Sequence, residues 1–352
     1  MPGILIRCDG SAELGLGHVV RCLSLAQEFR QRGARVGFAM RGSEVGIRMV
    51  QEAGFDVLRP PKSHQFDYLS WLAECLGHVQ AHALVADVRD DLPLTTLEEL
   101  RAESTRIAVI DDLSERRLAA DLAVYPPVPQ VSRLKWNGFR GQLFVGWEWA
   151  VVRSQFATAR RPQRSGNRGI LIMMGGSDPA GLTMSAVRAL DRLAAPIRAI
   201  VVVGRAFVHS EALSNVLRRT RHEFFVQQNV SDVAAIMAEA QVAVCAFGVT
   251  AYELAAMGVP AVYVCPTEDH AESASAFEAA GLGVSIGVVG QDVEEKLADA
   301  VGLQLSDKRL QERTSARGRQ LVDGQGARRV AEEVLRMFQR TEFPSAAERP
   351  RR

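Results

Sequence analysis

A glycine-containing loop that ends in a histidine follows the first strand-like segment. Asp9 opens this loop, Gly15 and Gly17 lie within it, and His18 stands where a helical pattern begins. Glycine lets a backbone approach a ligand closely, and a helix N-terminus disfavours a protonated imidazole. We therefore expect a neutral His18 that could accept a proton from water, with Asp9 as a candidate to fix its tautomer. A loop with a packed histidine is the alternative left open.

Carboxylates end three strand-like segments in the first half of the chain: Asp9, Asp87 and Asp111, with Asp112 beside the last. Because ligands of parallel sheets bind at the carboxyl ends of strands, we expect these side chains to face one cleft edge. They could bind sugar hydroxyls or amides, or hold a base. Asp111 and Asp112 could equally serve only as helix caps.

A glycine pair follows the first strand-like segment of the second half. Gly176, Ser177 and Asp178 come directly after it, but neither a Gly-Lys-Ser/Thr P-loop nor GxGxxG is present. This excludes a P-loop and argues against a standard dinucleotide site. The turn could admit a substrate closely, or it could be an ordinary tight turn.

A buried strand pattern gives way to a helix near residue 250. Gly248, Val249 and Thr250 stand at the junction, where free backbone N–H groups and the helix dipole suit a phosphate. Glu253, one turn further, could accept hydrogen bonds from a ribose or could close a capping box with Thr250.

Acidic residues and a histidine follow the next strand pattern. Glu268, Asp269 and His270 would start a helix. One histidine with neighbouring acids is a weak metal signature, and acids are favoured in a first helical turn anyway. We predict no metal site.

Alternating strand and helix patterns must position these residues, and such alternation indicates parallel sheets with crossover helices. We expect a first domain over 1–156, a linker over 157–167, a second domain over 168–340 and a disordered tail over 341–352. Strands are predicted over 4–8, 35–39, 83–88, 107–110, 170–174, 197–203, 224–227, 242–246 and 261–265, and helices over 19–32, 43–53, 95–103, 181–193, 230–240, 250–257, 268–280 and 327–339.

Composition and charge argue against a nucleic-acid-binding protein and against a membrane protein. The 352 residues carry a net charge of +1, which gives no global field to attract nucleic acid or an anionic membrane. No stretch has the pattern of a membrane span, and the N-terminus lacks the pattern of a signal peptide. Five cysteines without CxxC spacing favour reduced thiols in the cytoplasm. We expect a cytoplasmic monomer without a cofactor.

Several stretches along the chain form a recognisable set. They are Ile6–Asp9 with Gly15–Leu23, Val109–Leu113, Gly146 with Ala150, Arg153 and Phe156, Gly175–Pro179 with Leu182–Thr183, and Tyr252–Leu254 with Gly258–Pro260. Together they resemble the nucleotide-sugar hydrolase family of pseudaminic acid biosynthesis. The opening motif is specific, and the resemblance covers nearly the whole ordered chain.

The resemblance implies an α/β protein of the GT-B fold, with two Rossmann-like domains and a cleft between them. It places the catalytic histidine on His18, which would assist water attack at the anomeric carbon of UDP-2,4-diacetamido-2,4,6-trideoxy-β-L-altropyranose. UDP would leave without a metal, and the nucleotide side would fall on Gly248, Val249, Thr250 and Glu253. A UDP-sugar is thus the expected partner, with neither nucleic acid nor membrane insertion. A glycosyltransferase and a non-catalytic nucleotide-sugar-binding homologue are the alternatives.

This sequence departs from the family pattern at three places that we expect to face the sugar or diphosphate. Val88 and Arg89 stand where the family has Ser-Tyr, and Phe247 enters the family's Gly-Gly-Ser-Thr run. Asp269–His270 stand in the region where the family has Asn-Gln. Arg89 could offer a donor to an anionic group. The predicted substrate-binding set is Gly15, Gly17, Arg21, Asp87, Arg89, Gly176, Ser177, Asp178, Phe247, Asp269 and His270.

Overall fold

Two parallel β-sheets form the framework of the chain, as a computed structural model shows for residues 2–11, 15–42, 44–61, 66–159 and 169–339. Unit 1 contains described residues 2–11, 18–151 and 325–339, and unit 2 contains 15–17 and the described part of 152–324. The predicted α/β class, with a parallel sheet in each half, is confirmed.

Unit 1 is built on seven parallel strands in the order β3-β2-β1-β4-β5-β6-β7. Its strands are β1 Gly3–Cys8, β2 Arg35–Ala39, β3 Asp56–Leu58, β4 Ala83–Asp87, β5 Arg106–Ile110, β6 Leu122–Tyr125 and β7 Gln142–Val145. Its α-helices are α1 Gly17–Gln31, α2 Glu44–Glu52, α3 Tyr68–Val79, α4 Leu94–Ala102 and, from the far end of the chain, α13 Gly326–Arg336.

Alternation along β1 explains how unit 1 buries both faces of its sheet. Ile4 and Ile6 belong to a core with Val19 and Leu25 of α1. Leu5 points to the opposite face and joins a second core with helix α3. A strand buried on both faces needs a continuous apolar run, which is the pattern that predicted it.

Helix α13 completes the core of unit 1. The predicted second domain, over 168–340, had included this helix. Val330, Val334 and Met337 lie in the same core as Ile4 and Phe29. Residues 3, 4 and 7 apart form one apolar stripe on a helix, and this stripe covers a sheet face of unit 1. Of the predicted linker, residues 160–167 lie outside the described residues, as does the predicted tail.

Unit 2 is built on six parallel strands in the order β10-β9-β8-β11-β12-β13. These are β8 Gly169–Met173, β9 Arg198–Val203, β10 Glu223–Gln228, β11 Ala240–Ala246, β12 Ala261–Cys265 and β13 Gly283–Val288. Its helices are α5 Gln155–Thr158, α6 Leu182–Asp191, α7 Ser210–Leu217, α8 Val233–Glu239, α9 Val249–Met257, α10 Glu268–Ala279, α11 Val293–Ser306 and α12 Lys308–Leu321. Within the described ranges, no helix has both the length and the apolar character needed to cross a membrane.

Candidate active site

The ends of β1 and β4 and the start of α1 bring a histidine and an aspartate together in unit 1. The two strands are neighbours, with Cys8 in register with Asp87. His18 is the second residue of α1, and its Nδ1 lies 2.6 Å from Oδ1 of Asp87. The carboxylate that orients His18 is therefore that of Asp87.

The expectation that Asp9 orients His18 is wrong. Oδ1 of Asp9 accepts hydrogen bonds from the backbone N–H groups of Arg41 and Gly42, at 2.8 and 2.7 Å. Its other oxygen lies 2.6 Å from Nη2 of Arg7. Asp9 is thus turned towards the loop after β2, whose backbone it holds in place.

Asp87 is a buried carboxylate saturated with donors. Arg21 donates to it twice, from Nε to Oδ2 and from Nη2 to Oδ1, each at 2.6 Å. The Cys22 thiol donates weakly to Oδ2 at 3.5 Å. Burial disfavours the charged carboxylate, but Arg21 and then His18 outweigh it and hold the pKa of Asp87 well below its usual range. Asp87 therefore remains an ionised acceptor.

This arrangement selects one tautomer of a neutral His18. An ionised carboxylate can only accept, so Nδ1 carries the proton and Nε2 keeps its lone pair. Arg21 also lies 3.3 Å from Nδ1, because both groups donate to the same oxygen of Asp87. Among the described residues, Nε2 has no hydrogen-bond partner, and the side chain is 20% exposed. In this tautomer, Nε2 of His18 is thus an open hydrogen-bond acceptor.

Arg21 and Arg89 flank a second carboxylate, that of Asp111, which follows β5. Nη1 of Arg21 lies 3.2 Å from Oδ2 of Asp111. Arg89 donates to the Asp111 carbonyl at 2.6 Å and lies 3.3 Å from the same Oδ2. The structure therefore brings Arg21, Asp87, Arg89 and Asp111 together beside His18.

Arg7 lies at the centre of a charged network that the sequence reasoning missed. Its side chain is fully buried within β1 and pairs with Asp9 and Asp90. The Tyr68 hydroxyl oxygen lies 2.9 Å from Oδ2 of Asp90 and 2.6 Å from Oδ1 of Asp91, and its one proton donates to one of them at a time. The available signal was a charged residue inside an apolar strand pattern. Because a buried charged residue is almost always paired, this pattern predicts a partner of opposite charge.

In unit 2, the loop after β8 is a structural turn. Asp178 is buried and accepts hydrogen bonds from the backbone N–H groups of Leu182 and Thr183, both at 2.8 Å. Ser177 is also buried. At Gly204, an added Cβ would lie 2.3 Å from the carbonyl oxygen of Gly176, so the two backbones meet closely. These contacts are those of an ordinary tight turn. The substrate roles of Gly176, Ser177 and Asp178 stay predictions.

The N-terminus of α9 has no side-chain cap. Gly248 holds the cap position without a side-chain hydrogen bond, and an added Cβ there would meet nothing within 4 Å. The capping box between Thr250 and Glu253 is therefore wrong, since Thr250 lies inside the helix. The N–H group of Ala251 donates to the Gly248 carbonyl, while among the described residues no side-chain acceptor is found for the N–H groups of Val249 and Thr250.

Glu253 instead forms a buried ion pair with Arg153. Nε and Nη2 of Arg153 each lie 2.7 Å from a different oxygen of the carboxylate. Glu253 is 1% exposed. Burial alone would lower the pKa of Arg153, but the opposite charge of Glu253 outweighs burial and raises this pKa, so the guanidinium is charged.

The expected position of Phe247 at the sugar is corrected. Its ring is buried and packs edge-on against Tyr263 and Phe277, with ring centroids 5.6 and 5.1 Å apart. A large ring at the end of a buried strand gains more by joining this aromatic cluster than by facing water. Phe247 therefore belongs to the core of unit 2.

The remaining predicted residues lie at the start of α10 and at or just before the start of α1. Asp269 and His270 are in the first turn of α10, where Nδ1 of His270 lies 2.7 Å from the Thr267 hydroxyl. Gly15 has φ +77°, and Gly17 is the first residue of α1. Within the described part of the chain, no three His, Cys, Asp or Glu side chains are grouped to hold a metal ion.

Known proteins that are similar to this chain in sequence include a polysaccharide biosynthesis protein. No family model matches the sequence. The chain is 25% identical over 334 residues to the spore coat polysaccharide biosynthesis protein SpsG of Bacillus subtilis (strain 168), covering 92% of this chain and 95% of that protein. An uncharacterized protein of Methanocaldococcus jannaschii is 25% identical over 282 residues, covering 75% of this chain and 56% of that protein.

Solved structures share the fold at low sequence identity. MurG of Acinetobacter baumannii superposes with a TM-score of 0.71 at 16% identity, covering 96% of this chain and 100% of that one. The spinosyn rhamnosyltransferase SpnG complexed with thymidine diphosphate gives 0.64 at 13%, covering 97% and 100%. The fold is that of GT-B glycosyltransferases. A UDP-N-acetylglucosamine 2-epimerase also shares it, with a TM-score of 0.61 at 14% identity, covering 98% and 99%.

Proposed function

We propose that the protein hydrolyses a UDP-linked amino-deoxy sugar at its anomeric C–O bond. The observation that carries this proposal is the 2.6 Å contact between His18 and Asp87. It leaves Nε2 as an open acceptor at a helix start that follows a glycine-containing loop. This is the geometry of a general base.

The reaction needs one proton transfer and one bond cleavage. As a water oxygen attacks the anomeric carbon, its proton passes to Nε2 of His18. The bond from the anomeric carbon to the diphosphate oxygen breaks, and its electron pair leaves with UDP. Asp87 remains ionised and stabilises the imidazolium that forms.

We assign the nucleotide diphosphate to the uncapped start of α9 in unit 2. The first-turn N–H groups there and the Thr250 hydroxyl are the donors. A helix N-terminus suits an anion and stabilises the charge that develops on the leaving diphosphate.

The name of the SpsG relative, which refers to polysaccharide biosynthesis, supports a sugar substrate. The amino-deoxy sugar, and a product used for nonulosonic acid biosynthesis, rest on the resemblance of the opening motif.

Transfer to an acceptor is the second candidate, favoured by the glycosyltransferases that share the fold. His18 would then take the proton of an acceptor hydroxyl instead of water. A non-catalytic homologue is suggested by Phe247 and by the loss of the family's Tyr after Asp87. Only the first of these is weakened, because the Phe247 ring lies in the core of unit 2.

The first test measures UDP release from UDP-2,4-diacetamido-2,4,6-trideoxy-β-L-altropyranose without an added acceptor. It compares wild type with His18→Asn. Because general-base catalysis contributes about 10²- to 10⁴-fold, we expect kcat to fall at least 100-fold. His78→Asn, on the exposed side of α3, is the matched control and should retain wild-type activity. Release that depends strictly on an added acceptor would favour the transferase, and an epimerised UDP-sugar would indicate epimerase activity.

A further inference from the structure

Strand β10 is an outer edge of the unit 2 sheet and the most regular of the four sheet edges. Its six residues, Glu223–Gln228, pair with β9 in continuous register. By comparison, β3 has three residues, β7 has four, and β13 has an irregular register against β12. Among the described residues, no strand pairs with the outer side of β10. A long, regular edge of this kind is a template for pairing with another strand.

The sequence of β10 lacks the residues that keep other strands away from a sheet edge. Natural edges are blunted by lysine, by proline or by a bulge. β10 reads Glu-Phe-Phe-Val-Gln-Gln, with Glu223 as its one charged residue. Phe225 and Val226, at its centre, are 43% and 46% exposed. Because adjacent residues point to opposite faces of a sheet, this edge is apolar and open on both faces.

The hydrogen bonds of β10 show which of its backbone groups point outwards. The N–H groups of Glu223 and Asn229 donate to backbone carbonyls at the two ends of β9, at 3.2 and 3.1 Å. Because backbone groups alternate in direction along a strand, the odd-numbered residues face β9. The even-numbered residues therefore present their N–H and C=O groups at the free edge, and these are Phe224, Val226 and Gln228.

We propose that β10 pairs antiparallel with β10 of a second copy of this chain, with Phe225 on the two-fold axis. In this register Phe225 opposes its own counterpart, and Phe224 opposes Val226 of the other copy. These two outward-facing residues exchange backbone hydrogen bonds. Glu223 opposes Gln227, whose amide can donate to the carboxylate. Aromatic pairs and aromatic–β-branched pairs are among those that stabilise neighbouring strands.

The neighbouring two-fold register fits the side chains less well. With Val226 on the axis, Phe224 would oppose Gln228 and Phe225 would oppose Gln227, so each ring would lie against an amide. A register centred between two residues would place opposing side chains on different faces of the sheet, which a continuous sheet does not allow. A two-fold interface requires a self-complementary surface, and β10 is self-complementary about Phe225.

Opposite charges at the two ends of β10 favour the antiparallel arrangement. Three exposed arginines, Arg218, Arg219 and Arg221, lie just before the strand, whereas the exposed Asp232 lies shortly after it. In an antiparallel pair, the start of one strand lies beside the end of the other. The basic end of each copy would therefore approach the acidic end of its partner.

The contact is small, since a six-residue strand is about 20 Å long. We therefore expect a weak dimer, with a dissociation constant of about micromolar size. This dimer is independent of the proposed reaction, and it differs from the monomer expected from the sequence.

The first test is disulfide crosslinking of Phe225→Cys under mild oxidation. A residue on the axis faces its own counterpart at a Cα separation that a disulfide can span. Gln227→Cys is the matched control, because it is exposed on the same face but lies about 13 Å from its counterpart along the strands. The five native cysteines are buried. We expect most of Phe225→Cys and little of Gln227→Cys to become a covalent dimer.

The second test is sedimentation equilibrium of Val226→Pro. The N–H of Val226 points away from β9, so proline removes no hydrogen bond within the chain, and the melting temperature checks that the variant folds. It removes one hydrogen bond per copy from the dimer and places a ring at the edge. We expect the dissociation constant to rise by about 10- to 100-fold.

Val145→Pro is the matched control for this second test. Val145 lies on the edge strand β7, between Phe144 and Gly146, and its N–H also points outwards, since those of Gln142 and Gly146 face β6. It should associate as wild type does. A wild type that stays monomeric at the highest concentration reached would overturn the proposal. Equal crosslinking of Phe225→Cys and Gln227→Cys, or unchanged association of Val226→Pro, would overturn it as well.

Discussion

At the scale of single residues, the carboxylate of Asp87 organises the candidate site of unit 1. Asp87 receives hydrogen bonds from His18, Arg21 and Cys22. The guanidinium keeps the carboxylate ionised and the imidazole oriented, so a proton taken up at Nε2 is not passed on to Asp87. Asp87 therefore holds His18 and Arg21 in one hydrogen-bonded cluster.

The low pKa of Asp87 predicts how stability depends on pH. A carboxyl group whose pKa is lowered on folding adds stability above its unfolded pKa, about 4. That stability is lost as the pH falls towards the folded value, at most about 1.4 kcal/mol per pH unit. We expect the free energy of unfolding to fall below about pH 4 in wild type and to fall less steeply in Asp87→Asn. Urea unfolding at a series of pH values measures both slopes.

Asp56→Asn controls for the loss of one acidic group, because Asp56 is exposed on β3. Equal acid slopes for Asp87→Asn and wild type would show that Asp87 does not contribute in this way.

At the scale of elements, α13 shows what a periodic pattern leaves open. The apolar stripe of residues 327, 330, 331, 334 and 337 predicts a helix and its buried face. It does not say which sheet the face covers, and the stripe covers that of unit 1. Chain order favoured the wrong unit because α13 follows the last elements of unit 2.

Substituting a core residue of α13 should destabilise unit 1 specifically. Val334 is fully buried, so Val334→Ala should cost about 2 kcal/mol in lost burial and cavity formation. We expect faster amide hydrogen exchange in β1 and β2 and unchanged exchange in β11 and β12. Mass spectrometry of peptides from each strand measures this.

Arg328→Ala is the control on the exposed face of the same helix, where Arg328 pairs with Glu332. It should change exchange little. Faster exchange in β11 and β12 alone would contradict the assignment of α13 to unit 1.

Short and edge strands were missed, and so were helices α7, α11 and α12. β3 has only three residues, and β7 alternates half-buried with exposed side chains, so neither gives a strong apolar run. β6 is fully buried but ends directly before Pro126 and Pro127, which dominate the pattern of that stretch. Helix α3 had an available signal, since Asp67 caps it by accepting from Ser70.

At the scale of the whole molecule, the candidate site was predictable where strand ends define it. His18 and Asp87 could be named because a parallel sheet gathers the ends of its strands at one edge. The choice between Asp87 and Asp9 could not be made, because it depends on β4 being the neighbour of β1. Arg153 and Glu253, 100 residues apart, carry no local signal of their pairing.

The GT-B fold serves proteins with different activities, as the transferases and the epimerase that share it show. Fold alone therefore does not decide the reaction. In the proposed hydrolysis, water is the attacking group and His18 is its base, whereas a transferase would use an acceptor hydroxyl.

The most direct measurement is turnover of UDP-2,4-diacetamido-2,4,6-trideoxy-β-L-altropyranose in ¹⁸O-labelled water, followed by mass spectrometry of both products. The account predicts one labelled oxygen in the sugar and none in UDP, because water attacks the anomeric carbon. Label in UDP would place the attack on phosphorus and contradict the mechanism. No release of UDP from this substrate or from other UDP-sugars would contradict the proposed hydrolysis.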